Sequence, residues 1–74
     1  MKSYEINLRS VVDVKNFVNI TNRFDFDVDL ESGRYVVDAK SIMGIFSLDL
    51  SKPLALHVHG DVPAEFDELM KQFK

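Results

Sequence analysis

The chain has 74 residues, enough for one domain (1–74) whose folding buries roughly 60% of the unfolded surface. With 46% hydrophobic and 28% charged residues it reads as globular, and no apolar run is long enough to span a membrane. A net charge of −3 with scattered basic residues argues against a nucleic-acid surface, and the absence of cysteine excludes disulfides and thiolate metal sites.

Tyr4, Ile6 and Leu8 alternate with Glu5 and Asn7, the period of a half-buried strand. Lys2 is followed by Ser3, Tyr4 and Glu5 rather than by an apolar stretch, so no secretory signal is expected. Ser10 with Asp13 forms a loose capping-box pattern, and Val14, Phe17, Val18 and Thr21 then lie on one helical stripe. From Phe24 the period switches to two. Phe24, Phe26, Val28 and Leu30 alternate with Asp25, Asp27, Asp29 and Glu31, which predicts a strand with one wet face. Ser32-Gly33 is a hairpin turn signal, and residues 34–38 form the return strand.

Residues 41–48 are short and apolar, and Ser41 is a good N-cap, so a short helix is expected there. Pro53 opens a strand in which Leu54, Leu56 and Val58 alternate with Ala55, His57 and His59. Asp61 can cap a last helix with Pro63 in its first turn. Phe66, Leu69, Met70 and Phe73 make its apolar stripe. The order β-α-β-β-α-β-α predicts an α+β open-faced β-sandwich: a four-stranded antiparallel sheet, helices on one face, polar residues on the other. That polar face is expected to carry Asp25, Asp27, Asp29, His57 and His59.

His57 and His59, at i and i+2 on a strand, point the same way and can bind Zn²⁺ or Ni²⁺ if an acid joins them. Two solvated histidines explain the pattern more simply, because zinc needs three or four fixed ligands. The acidic row from Asp25 to Glu31 reads as the wet face of a strand, where charges also discourage edge-to-edge aggregation. Ile42, Met43 and Phe46 form an apolar cluster, with Ile42 and Met43 partly exposed and Ile45 buried; exposed apolar patches often mark docking surfaces.

The segment Lys40-Ser41-Ile42-Met43-Gly44, followed by two apolar residues and Ser47-Leu48, resembles the segment around the regulatory serine of HPr. HPr is the small phosphocarrier of the bacterial sugar phosphotransferase system. The resemblance extends from about Tyr4 to Phe73 and is strongest from Asp25 to Leu50, where Asp25, Asp27, Val28, Leu30 and Gly33 lead into Lys40–Gly44. It implies the HPr-like fold, a phosphorylatable Ser41, and partner binding through Ile42, Met43 and Phe46.

The same resemblance marks a departure. HPr-type carriers place a histidine, then Ala-Arg-Pro-Ala, between the first strand and first helix. Here the region reads Leu8-Arg9-Ser10-Val11-Val12-Asp13-Val14. Ser10 falls at the histidine position, Val12 at the arginine and Asp13 at the proline, and no histidine precedes residue 57. An acid there repels phosphate. The expectation is therefore a cytoplasmic, monomeric, HPr-like protein that has lost histidyl phosphotransfer and acts as a regulatory or adaptor module, with no cofactor or catalysis of its own. Its expected partners are proteins of the phosphotransferase system or of carbon regulation. Two other readings stay open: a phosphocarrier with His57 or His59 as a non-standard acceptor, and a metal-binding module on those histidines.

Overall fold

A computed structural model describes residues 2–74. Strand β1 (Lys2–Ile6) is followed by helix α1 (Val11–Thr21), the hairpin β2 (Asp27–Ser32) and β3 (Tyr35–Asp38), and the short helix α2 (Ile42–Phe46). Strand β4 (Leu54–His59), helix α3 (Ala64–Met70) and a 3₁₀ turn (Lys71–Phe73) complete the chain. All strand pairs are antiparallel and the sheet order is β1-β4-β2-β3. The element order and architecture are those expected from the periodicities.

Register places the apolar residues in rows. Tyr4 lies opposite Leu56, which lies opposite Leu30, which lies opposite Val37. Ile6 pairs with Leu54, and Val28 with Val58. A one-residue slip would turn every one of these to the wet face, so burial of the row fixes the register. The helices cover it with Val14, Phe17 and Ile20 from α1, Ile45 from α2, and Phe66 and Met70 from α3, all buried. Phe73 extends that cover from the 3₁₀ turn and meets Phe17 edge to face at 5.5 Å.

The structure differs from the sequence reading at several edges. β2 starts at Asp27, not Phe24. Phe24 and Phe26 leave the strand so that both rings pack on Phe66, at 5.2 Å each, which joins the approach to β2 with α3. Asp25 therefore lies outside the sheet face on which it was expected. β1 ends at Ile6, although Leu8 is still fully buried. The hairpin loop is Gly33-Arg34, with Gly33 at φ +59°, a value glycine adopts without strain. Pro63, not Asp61, stands at the start of α3, and no side chain caps it. Buried Ile20, rather than half-buried Val18, completes the α1 core stripe.

Candidate functional site

Two helix starts carry the residues singled out by the sequence. At α1, Ser10 is the N-cap and its Oγ accepts the Asp13 N–H at 3.1 Å. The Asp13 carboxylate in turn accepts the Arg9 N–H at 3.0 Å. This is the capping box foreseen from Ser10 and Asp13, displaced by one residue on the carboxylate side. It puts a fixed negative charge at the end of the helix where the backbone would otherwise attract an anion. The Arg9 guanidinium points elsewhere, donating to the Lys74 carbonyl at 3.4 Å.

At α2, Ser41 is the N-cap and its Oγ accepts the Gly44 N–H at 3.3 Å. Its own N–H donates to the Asp38 carbonyl at 3.0 Å, which ties the helix start to the end of β3. Gly44 accommodates this closeness. A Cβ there would stand 3.3 Å from the Val37 Cβ and 3.4 Å from the Ser41 Oγ. The hydroxyl hydrogen of Ser41 is not used by the cap, so the group keeps a free donor at a half-buried position.

The apolar cluster divides as expected. Ile45 is buried, Ile42 half-buried, Met43 77% exposed and Phe46 42% exposed. The structure adds residues that the sequence reading passed over. Val11 and Val12 are 56% and 64% exposed at the first turn of α1. Val11, Leu8, Phe46 and Leu50 line one shallow groove beside Ser10. The available signal was that Val12 falls out of phase with the core stripe and that both valines occupy a first turn, where polar residues are usual.

On the opposite face of the sheet His57 and His59 project as predicted, and each meets an acid. His57 Nε2–H donates to Glu31 at 2.8 Å, and His59 Nε2–H donates to Asp29 at 2.7 Å. Ser3 Oγ lies 2.9 Å from His57 Nδ1, where a neutral ring with its Nε2–H on Glu31 accepts the serine proton and completes a relay. This serine–histidine–carboxylate chain went unseen in the sequence because it depends on the β1–β4 register, Ser3 opposite His57. The neighbouring β4 backbone is consumed by ladders on both sides, so its N–H groups cannot serve an acyl-transfer intermediate. Among the described residues no three or more His, Asp or Glu side chains are arranged to hold a metal ion.

A four-stranded antiparallel sheet, covered on one face and open on the other, with serine-capped helices following β1 and β3, defines an HPr-type open-faced sandwich. The chain belongs to the HPr family of the phosphotransferase system: the family described as "PTS HPr component phosphorylation site" matches residues 4–73. The family consists of phosphocarriers rather than catalysts. The crystal structure of HPr-C-His from Thermoanaerobacter tengcongensis is similar, at 28% identity, with 97% of this chain and 89% of that chain covered and a TM-score of 0.80. Phosphocarrier protein HPr from Bacillus anthracis str. Ames is 27% identical, with coverage of 99% and 94% and a TM-score of 0.75. No curated protein sequence matches the chain significantly. Among the described residues, no helix is long and apolar enough to cross a membrane.

Proposed function

We propose that this HPr-family chain has given up histidyl phosphotransfer and works as a regulatory or adaptor module through the Ser41 segment. One observation carries the reading. At the start of α1 stand a capping serine and a hydrogen-bonded carboxylate, Ser10 and Asp13, where a carrier needs an imidazole and an anion-friendly helix end. A phosphoryl group at that position would face the Asp13 charge.

Ser41 sits in a different setting. Phosphate adds roughly −1.5 to −2 charge, and the first-turn N–H groups of α2 can receive it. Met43 and Phe46 beside it give a partner an exposed apolar contact. Membership of the family supports partners of phosphotransferase-system or carbon-regulation type, in the cytoplasm. The chain itself is read as a non-enzyme.

The test offers the purified chain two donors: the phosphoenolpyruvate-dependent enzyme of the phosphotransferase system, and an ATP-dependent HPr kinase. Intact mass and peptide mapping should find an acid-stable phosphoryl group confined to Ser41 and no acid-labile product. Acid-labile phosphate on His57 or His59 would overturn the reading in favour of a carrier with a non-standard acceptor. Ser41→Asp should then alter partner binding while the fold is kept, and Met43→Ala should weaken the same contact.

A further inference from the structure

β3 is an edge strand, and its outer side is open. The two-residue loop makes Ser32–Tyr35 a hydrogen-bonded pair, so by alternation Leu30–Val37 is the next one. The N–H and C=O of Val36 therefore point away from β2. Among the described residues no other backbone group bonds to them. Proteins usually blunt such an edge with lysine, proline or a bulge. β3 is short, at four residues, and ends on Asp38, but it contains no lysine or proline and pairs with β2 without a break in register. The edge also bears two large exposed apolar residues, Tyr35 at 71% and Val36 at 59%.

The sequence along this edge is Arg34-Tyr35-Val36-Val37-Asp38, and its charges are complementary to themselves. Antiparallel pairing of two copies about Val36 sets Val36 opposite Val36, Tyr35 opposite Val37, and Arg34 opposite Asp38 at both ends. Sliding the pairing by two residues one way places Arg34 opposite Lys40, a like-charge pair; sliding the other way places Asp38 opposite Ser32. The charges thus select a single register among those that parity allows. In it Val36 exchanges its free N–H and C=O with its twin, and both exposed side chains gain cover. Among the described residues Arg34 has no ion-pair partner within its own chain.

We propose that β3 is a self-association edge, at which a second copy of this chain adds antiparallel about Val36 to make one continuous eight-stranded sheet with two-fold symmetry. The interface is isologous and closed, so it stops at a dimer. Four residues a side make it small, which assigns it to the weak class that forms only at high protein concentration. The α1 and α2 surfaces stay free in the dimer. The inference is therefore separable from the adaptor reading.

Sedimentation velocity from about 10 μM to about 1 mM tests this. The wild type should shift from monomer to dimer across the range. Arg34→Asp and Asp38→Arg should each weaken the dimer by about tenfold, since each replaces two opposite-charge pairs by two like-charge pairs. Mixed in equal amounts, the two variants should regain association, because the hetero-pair restores opposite charges at both ends. Val36→Pro removes a donor that the β2 ladder does not use and should abolish the dimer with the far-UV signature of the fold intact. Asp38 also accepts the Lys40 N–H at 2.9 Å, so the Asp38 variant is checked by its melting curve, and Arg34→Asp and Val36→Pro decide the matter if it melts early. A monomer throughout the range overturns the proposal. So does a dimer indifferent to these variants but lost in Phe46→Asp, which would place the contact on the helical face.

Discussion

α1 and α2 both begin on a capping serine, yet the two starts are built for opposite ends. At α1 the cap is reinforced by an acid, and the exposed residues beside it are Val11 and Val12. At α2 no acid stands in the first turn, and the cap is drawn tight against β3 by Gly44. At both starts a carboxylate accepts the N–H of the residue before the serine, Asp13 from Arg9 and Asp38 from Lys40, but only at α1 does that acid stand within the first turn of the helix. A shared N-cap residue therefore does not fix the charge at a helix start; the acid at N3 of α1, where α2 has Gly44, makes the difference within the first turn.

The two helices differ most in their anchoring at Ile45. It is the one buried residue of α2, so a helix of five residues depends on it for its hold on the core. Ile45→Ala should cost about 3 kcal/mol in urea unfolding, the range for emptying a packed aliphatic site. Val11→Ala, at the solvent-facing start of α1, should change stability by less than about 0.5 kcal/mol. Equal effects at the two sites would mean that α2 is not anchored as described.

The caps come next in size. Ser10→Ala should cost about 1 kcal/mol, because it strips an eleven-residue helix of half its capping box. Ser41→Ala should cost about half as much, since its bond to Gly44 is longer and Ile45 carries most of the α2 docking. Denaturant midpoints with unchanged slopes would report both. A larger loss at Ser41 would show that the cap, and not Ile45, organises the segment.

α3 starts by a third route and supplies a pH test. It has no side-chain cap; instead Asp67 accepts from Lys2 at 2.7 Å and from the Tyr4 hydroxyl, tying the helix to β1. The bonds from Lys2 and then Tyr4 hold the Asp67 carboxyl below its ordinary range. Its contribution is thus complete above the ordinary aspartate value and is lost as pH falls through the depressed one. Burial, then the bond to Asp67, pushes the Tyr4 phenol upward. That contribution is complete below the ordinary tyrosine value of 10.0 and is lost as pH rises through the raised one. Asp67→Asn should flatten the stability profile on both the acid and the alkaline limb, while leaving the neutral plateau lower. An unchanged acid limb would remove Asp67 from the account.

Much of this was legible before the structure. Alternation from Leu54 to His59 and the i, i+3, i+4, i+7 stripe from Phe66 to Phe73 report burial on one face directly, and both elements appear where they were read. Phe24 and Phe26 misled because alternation records burial rather than hydrogen bonding. Those rings are covered by Phe66, a contact forty residues away that no local pattern contains. The same limit hid the Ser3–His57–Glu31 relay and the free edge of β3, both of which exist only once the strands are in register. Ser10 with Asp13 was readable because a capping box is local.

Substitutions at the α1 start separate the imidazole from the acidic cap. Ser10→His places an imidazole at the α1 start, where the proposed reading puts the carrier's acceptor, but leaves Asp13 in place. Phosphoryl transfer from the phosphoenolpyruvate-dependent donor should remain undetectable, because the carboxylate bound to the Arg9 N–H still faces the incoming anion. Adding Asp13→Asn removes the charge while keeping an acceptor for that N–H, and adding Val12→Arg supplies a guanidinium that can grip phosphate bidentately. Acid-labile phosphate should then appear on the triple variant alone. If Ser10→His by itself takes up phosphate, an imidazole is all that the α1 start needs to act as an acceptor, and its acidic cap plays no part. If the triple variant stays unlabelled, the obstacle lies in the neighbouring surface of Val11, Phe46 and Leu50, which the donor must also fit.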